Sequence, residues 1–235
     1  MSFIRLRGVT KTFPSKSEDV TPLRDLSLDV EQGDFVALMG PSGSGKTTLL
    51  NLAAGIDSPT AGSVFVGDAE ISAMTPRALA HWRTRHMGFV FQQYNLVPVL
   101  TAYENVEVPL LLLPLSRAER RLKVSTALEA VGCLDRATFL PRALSGGQQQ
   151  RVAVARALVA GPELVLADEP TGNLDETAAS SILALLSALH ESFGQTFLMV
   201  THDPRAASTA RRVIRLDKGR VLADTEAPAP AGAAP

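Results

Sequence analysis

Residues Gly40, Pro41, Ser42, Gly43, Ser44, Gly45, Lys46 and Thr47 follow a short apolar run, Phe35–Met39. They open a segment, about Lys46–Ala54, that predicts a helix with Gly55 as its C-cap. No other stretch restricts the fold as much. Glycines so spaced let the backbone curl until successive N–H groups point inward. A strand must deliver the chain to that curl and a helix must leave it. The helix N-terminus then adds roughly half a positive charge beneath the loop. Lys46 supplies a point charge, and the Thr47 hydroxyl is a hard oxygen ligand of the kind Mg2+ takes. The ligand this pattern suits is a run of phosphates.

The flanking pattern predicts an α/β fold. Phe3–Val9 and Leu26–Val30 alternate as strands, and Val64–Val66 is strand-like. Phe35–Met39, Leu164–Ala167, Phe197–Val200 and Val213–Leu216 are short apolar runs typical of buried parallel strands. Helical segments fall between them, about Val152–Ala160 and Ala178–Ser192. The expectation is a mainly parallel sheet with helices on both faces, plus antiparallel N-terminal strands. After a last short strand, Gly88–Phe91, residues 93–157 change character and read as helical. Thr101 with Glu104, and Ser116 with Glu119, form capping boxes. Val124, Leu128 and Val131 then recur at i, i+4 and i+7, and Gly132 closes that helix. This divides the chain into a core, about 1–92 and 158–225, and an inserted helical subdomain, about 93–157. Residues 226–235 (EAPAPAGAAP) predict a disordered tail.

Charge and cysteine content exclude several classes. Twenty-three basic residues against 24 acidic ones give a net charge of −1, so no bulk attraction to nucleic acid or anionic lipid is expected. Cys133 is the single cysteine, which rules out an intrachain disulfide. The most apolar stretch, Val108–Leu115, is far below the roughly 18 residues of a membrane span and is broken by Pro109 and Pro114. The N-terminus lacks a signal-peptide run. The chain is expected to be soluble and intracellular, reaching any membrane through a partner.

The run Leu164–Ala167 stops at two acids, Asp168 and Glu169. Ligands of open parallel sheets bind at the carboxyl ends of strands, so both would face the phosphate loop. Neighbours on a strand point opposite ways, which separates their jobs. Asp168 suits the Mg2+ shell. Glu169 suits the water that attacks phosphorus, as its general base.

Leu144-Ser145-Gly146-Gly147-Gln148 precedes these acids by about one helix and a turn. Its chance occurrence in one chain is on the order of a few in ten thousand. Together with the phosphate loop, it makes the sequence, from about Phe3 to Asp224, resemble the nucleotide-binding subunit of ATP-binding-cassette (ABC) systems. The fold implied is a P-loop core with an inserted helical subdomain. Two subunits would stack head to tail around two ATP molecules, each nucleotide held between residues 40–48 of one copy, Thr48 included, and the 144–148 turn of the other. Ser145, Gly146 and Gly147 start a helix and so offer an N-terminus to an anion.

Other positions match the family's pattern. Gln92 resembles the glutamine that touches Mg2+ and water and hinges the helical subdomain. Asp175, in Gly172-Asn173-Leu174-Asp175, resembles the residue that crosses the dimer seam. His202 resembles the histidine that contacts the γ-phosphate. Phe13 stands where the family has an aromatic stacked on adenine; its ring suffices for stacking without a hydroxyl. Segments 144–151 and 167–175 resemble the branch of lipoprotein release, macrolide export and cell division. The resemblance implies an ATPase peripheral on the cytoplasmic face, a homodimer driving a separate transmembrane permease. A groove near Gln92 and residues 94–108, apolar at Tyr94, Leu96, Val97 and Val99, would receive it. The alternative is a soluble ABC ATPase acting on DNA or ribosomes. Its usual fused cassettes, zinc modules, coiled coils or basic stripe are not visible here.

Overall fold

The computed structural model describes residues 2–15 and 18–227. Its elements, in chain order, are β1 (Ser2–Phe13), β2 (Val20–Glu31), β3 (Phe35–Met39), α1 (Lys46–Ala53), β4 (Ala61–Val66), β5 (Ala69–Glu70) and α2 (Pro76–His86). Then come β6 (Met87–Val90), α3 (Ala102–Glu107), α4 (Arg117–Ala130), α5 (Gly146–Leu158) and β7 (Leu164–Asp168). Last are α6 (Glu176–Phe193), β8 (Thr196–Val200), α7 (Pro204–Ala207), β9 (Arg212–Asp217) and β10 (Arg220–Glu226). Two compact units share them: residues 1–80 with 194–235, and residues 81–193.

In the first unit, β1 lies antiparallel between β2 and β4, with Ile4 opposite Val30 and Arg5 opposite Phe65. Alternation along β1 and β2 sends Ile4, Leu6, Leu28 and Val30 inward, as predicted. Strand β3 runs parallel to both β8 and β9, pairing Phe35 with Phe197 and Ala37 with Val213. Phe35 to Leu38 and Phe197 to Val200 are almost wholly buried, which is why these strands are continuous apolar runs. Strand β10 adds antiparallel to β9.

In the second unit, β6 and β7 pair in parallel, Gly88 opposite Val165. Both predicted capping boxes form, at Thr101/Glu104 and Ser116/Glu119. Val124, Leu128 and Val131 are buried along α4 and beyond its end. The helical middle is less continuous than its pattern. Between α3, α4 and α5 lie 3-10 turns at Val108–Leu112, Leu134–Arg136 and Pro141–Ala143. Of the apolar stretch 108–115, Leu110 is buried while Leu111 and Leu112 face solvent. No helix among the described residues is long and apolar enough to cross a membrane.

Two elements had not been expected, and one expectation is corrected. Helix α2 was not predicted, because Leu79 is its sole buried residue and it has no apolar stripe to read. Strand β10 escaped for a similar reason: it is an edge strand with no fully buried side chain. The predicted tail included residues 226 and 227, but Glu226 closes β10 and the Ala227 N–H donates to Arg211 O at 2.9 Å. The rest of the predicted disordered tail lies outside the described residues.

Candidate functional site

The first unit builds the phosphate loop. Strand β3 delivers the chain to Gly40, and α1 leaves at Lys46 after Gly45, which adopts φ 100°. Glycine is required at both ends of the curl. A β-carbon on Gly40 would lie 2.1 Å from Leu216 O, and one on Gly45 would lie 2.4 Å from Pro22 O. The loop is thus seated backbone to backbone on β2 and β9. The Gly219 N–H, in the β9–β10 turn, donates to Ser44 O at 3.2 Å.

The Lys46 side chain is nearly buried and folds over the loop. Its ammonium donates to Gly40 O at 2.8 Å and Pro41 O at 2.9 Å. Ser44 Oγ is buried with no hydrogen-bond partner among the described residues, an orphaned hydroxyl inside the curl. Pro41, Ser42, Gly43 and Thr47 are exposed and Thr48 is half-buried. His202 is exposed two residues past β8. Its neighbour Asp203 caps α7 through the Arg205 N–H at 2.8 Å. Burial pushes the Asp203 carboxyl up, but hydrogen bonds from Arg205 and nearby positive charge outweigh it and leave the carboxyl below its ordinary value. Phe13, 42% exposed at the end of β1, has the Lys11 ammonium 4.7 Å from its ring centroid. Lys11 is pinned in turn by Asp57 Oδ1 at 2.5 Å and Ser58 O at 2.8 Å.

The second unit gathers the remaining candidates. Asp168 ends β7, half-buried, and Glu169 follows with φ 48°, a left-handed conformation rare for a non-glycine residue. The turn closes with the Gly172 N–H on Glu169 O at 3.0 Å. The Gln92 amide lies against this turn: a β-carbon on Gly172 would be 2.7 Å from Gln92 Nε2. Asn173 Nδ2 donates to Gln92 O at 3.0 Å. Gly146 lies beside Tyr94 and Leu174. One cluster therefore holds Gln92, the Glu169 turn and the start of α5.

Three predicted site residues carry a local duty as well. Asp175 Oδ1 accepts the Ala178 N–H at 2.8 Å, capping α6. Ser145 and Gln148 form a third capping box, with Ser145 Oγ on the Gln148 N–H and Gln148 Oε1 on the Ser145 N–H. The box leaves the N–H groups of Gly146 and Gly147 at the open end of the helix.

Sequence reasoning missed the residues that hold the Gln92 loop. Gln150 Nε2 donates to Pro170 O at 2.6 Å and Phe91 O at 3.4 Å. The Arg156 guanidinium donates to Tyr94 O at 2.7 Å and Asn95 O at 2.5 Å. Burial lowers the pKa of Arg156. Little signal was available, because α5 carries several polar side chains and only Gln150 among them is fully buried.

Thr47, Gln92 and Asp168 offer hydroxyl, amide and carboxylate oxygens, the hard donors that Mg2+ takes. Among the described residues no cluster of three His, Cys, Asp or Glu could hold a metal.

A phosphate loop opening one helix, paired acids ending a strand and a glycine turn opening a second helix define an ATP-binding cassette, a class of ATPase. Residues 23–172 match the family model described as ABC transporter. The lipoprotein-releasing system ATP-binding protein LolD of Chromohalobacter salexigens is 47% identical over 221 residues, covering 94% of this chain and 93% of that protein. The macrolide export ATP-binding/permease protein MacB of Rhodopseudomonas palustris is 46% identical over all of this chain, which spans 36% of its length. The chain thus spans about a third of the MacB relatives it matches. Among solved structures, the dimeric post-hydrolysis state of the ATP-binding cassette MJ0796 bound to ADP and Pi superposes with a TM-score of 0.88. It is 41% identical, with 96% of this chain and 99% of that one covered. The chain belongs to the ABC transporter family.

Proposed function

We propose that the chain is the ATP-hydrolysing subunit of a membrane ABC complex, working as a head-to-tail homodimer on the cytoplasmic face. It drives export, lipoprotein release or mechanotransmission through a transmembrane permease. The observation that carries this reading is the coexistence of two anion sites of different build. One is the glycine curl with its buried Lys46. The other is the open end of α5, where the Ser145/Gln148 box leaves two glycine N–H groups to a ligand. Each nucleotide lies between the curl of one copy and the α5 turn of the other. Likeness to a dimeric cassette bound to ADP and Pi supports the sandwich. Likeness to LolD and MacB, named for a releasing system and a permease protein, supports the membrane partner.

Residues 40–48 grip the phosphates, and Lys46 offsets charge on the transferred group. Phe13 stacks on adenine. Glu169 accepts a proton from water as that oxygen bonds to the γ-phosphorus and the bond to the ADP oxygen breaks. Gln92 and His202 orient the water and the γ-phosphate, and Asp175 meets the partner copy. Thr47, Gln92 and Asp168 would hold Mg2+, which neutralises phosphate charge when bound. The subdomain 93–157 receives the permease near Gln92 and passes on the movement. Moving an open/closed equilibrium from 1:99 to 99:1 takes about 5.5 kcal/mol, or about 2.7 kcal/mol from each of two nucleotides.

Glu169→Gln tests the reading. It is expected to bind ATP, lose about 10²- to 10⁴-fold in turnover and accumulate an ATP-bound dimer on gel filtration. Unimpaired hydrolysis would remove Glu169 as the base. Purification from detergent-solubilised membranes is expected to recover an integral protein. Recovery of ribosomes or DNA in its place would refute the membrane role.

A further inference from the structure

Gln150 lies within the segment 144–151 that carried the branch resemblance, but it was given no role there, and it is a fully buried polar side chain. Its amide N–H2 has two donors, and both are used on backbone carbonyls. One is Pro170 O, directly after Glu169; the other is Phe91 O, directly before Gln92. Its Oε1 is buried with no partner among the described residues. A buried acceptor left unmade is costly, and a methionine of similar shape would avoid that cost. Packing alone therefore does not explain glutamine at this position. The two carbonyls do, because each lies one residue from a side chain proposed to handle the attacking water.

We infer that Gln150 is a positioning residue for hydrolysis: its amide fixes the backbone beside Gln92 and beside Glu169 to the helix that begins at Gly146. This rests on the function proposed above. Gln150 sits four residues along α5 from Gly146, about 6 Å up the axis at 1.5 Å per residue, with no break between. A displacement of the glycine turn is thus delivered by one rigid helix to both loops. The 2.6 Å bond to Pro170 is the tighter tie and the 3.4 Å bond to Phe91 the looser one. Gln150 itself therefore ties the Glu169 turn more firmly than it ties the Gln92 loop.

The test is steady-state ATP hydrolysis by the full chain, comparing wild type, Gln150→Met, Gln92→Ala and the double variant. Gln150→Met keeps the volume and removes both donors. Loss of alignment is expected to lower kcat about ten- to a hundredfold. KM for ATP should stay within about twofold, because residues 40–48 bind the nucleotide and are not touched. Because part of the action of Gln150 runs through the Gln92 loop, the double variant is expected to lose less than the product of the two single losses. A merely structural role would lower thermal stability without this split. The inference is overturned if folded Gln150→Met keeps kcat within twofold, if KM rises in step with the loss, or if the two single losses multiply. Should Gln150→Met fail to fold, Gln150→Leu, which also removes both donors, is held to the same outcomes. A wild-type chain that hydrolyses no ATP, alone or with its membrane partner, refutes the underlying function instead and is distinguished by needing no variant.

Discussion

Replacing Gly88 with alanine places a methyl group where α5 crosses β6. The added β-carbon would lie 2.1 Å from Ala157 O and 2.8 Å from Ala157 C. An ordinary carbon–oxygen contact is about 3.3 Å, so the two elements must separate by about 1.2 Å. The obstacle is backbone, not the end of a side chain, so no rotamer change relieves it. Overpacking of this kind costs about 1–3 kcal/mol, and a helix that must move as a body belongs at the upper end. For a chain of this size each kcal/mol lowers Tm by about 2–4 °C, which gives a drop of about 6–12 °C at 3 kcal/mol. Differential scanning calorimetry measures it. The same displacement shifts Gln150 on α5, and a misplacement of about 1 Å is expected to cost up to about a hundredfold in turnover. Because the clash is with a carbonyl, a second change, Ala157→Gly, will not restore stability. A Tm within about 2 °C of wild type, or rescue by Ala157→Gly, would refute the reasoning.

Lys46→Ala removes the ammonium that bridges Gly40 O and Pro41 O, and is expected to abolish detectable ATP binding in a fluorescent-nucleotide titration; unchanged affinity would count against the cradle. The Glu104 and Glu119 carboxyls lie below their ordinary value of about 4.5, held there by Thr101 N–H and hydroxyl and by Ser116 hydroxyl and N–H respectively. A lowered folded pKa means that their stabilisation is present above about pH 4.5 and is lost as pH falls through the lower folded values. Glu104→Gln with Glu119→Gln keeps both capping boxes without titration, so the stability of the double variant should fall less steeply than wild type below that pH. Identical acid unfolding curves would show that the boxes do not titrate with folding.

Local chemistry was legible in the sequence and tertiary chemistry was not. The phosphate loop, the apolar strands and both predicted capping boxes involve residues within a few positions of one another, and the structure forms them all. Helix α2 and strand β10 bury too little to leave a periodic trace. The hold on the Gln92 loop was hidden for a different reason. Gln150 and Arg156 reach it from about 60 residues away, and they bind carbonyls, which every residue possesses. No pattern within residues 91–95 could announce those bonds. Asn95 gave a partial hint, since asparagine tolerates the left-handed conformation it adopts at φ 49°. Tyr94, at φ 56°, gave none.

Those two left-handed residues explain why α5 carries charge in its interior. Holding successive non-glycine residues in that region costs about 1–2 kcal/mol each. Arg156 meets both of their carbonyls with one planar fork, and each charge-assisted bond is worth about 1.5–3 kcal/mol. Burial works against the guanidinium, as its lowered pKa shows, but its position in the last turn of α5 places positive charge where the helix dipole favours it. The carbonyls of Phe91, Tyr94 and Asn95 are thus all engaged by α5, and that of Gln92 by Asn173. The loop's shape is imposed from outside it. Any motion of Gln92 relative to α5 must break these bonds or carry the helix along. Since the same helix begins at Gly146, carrying it along moves the glycine turn.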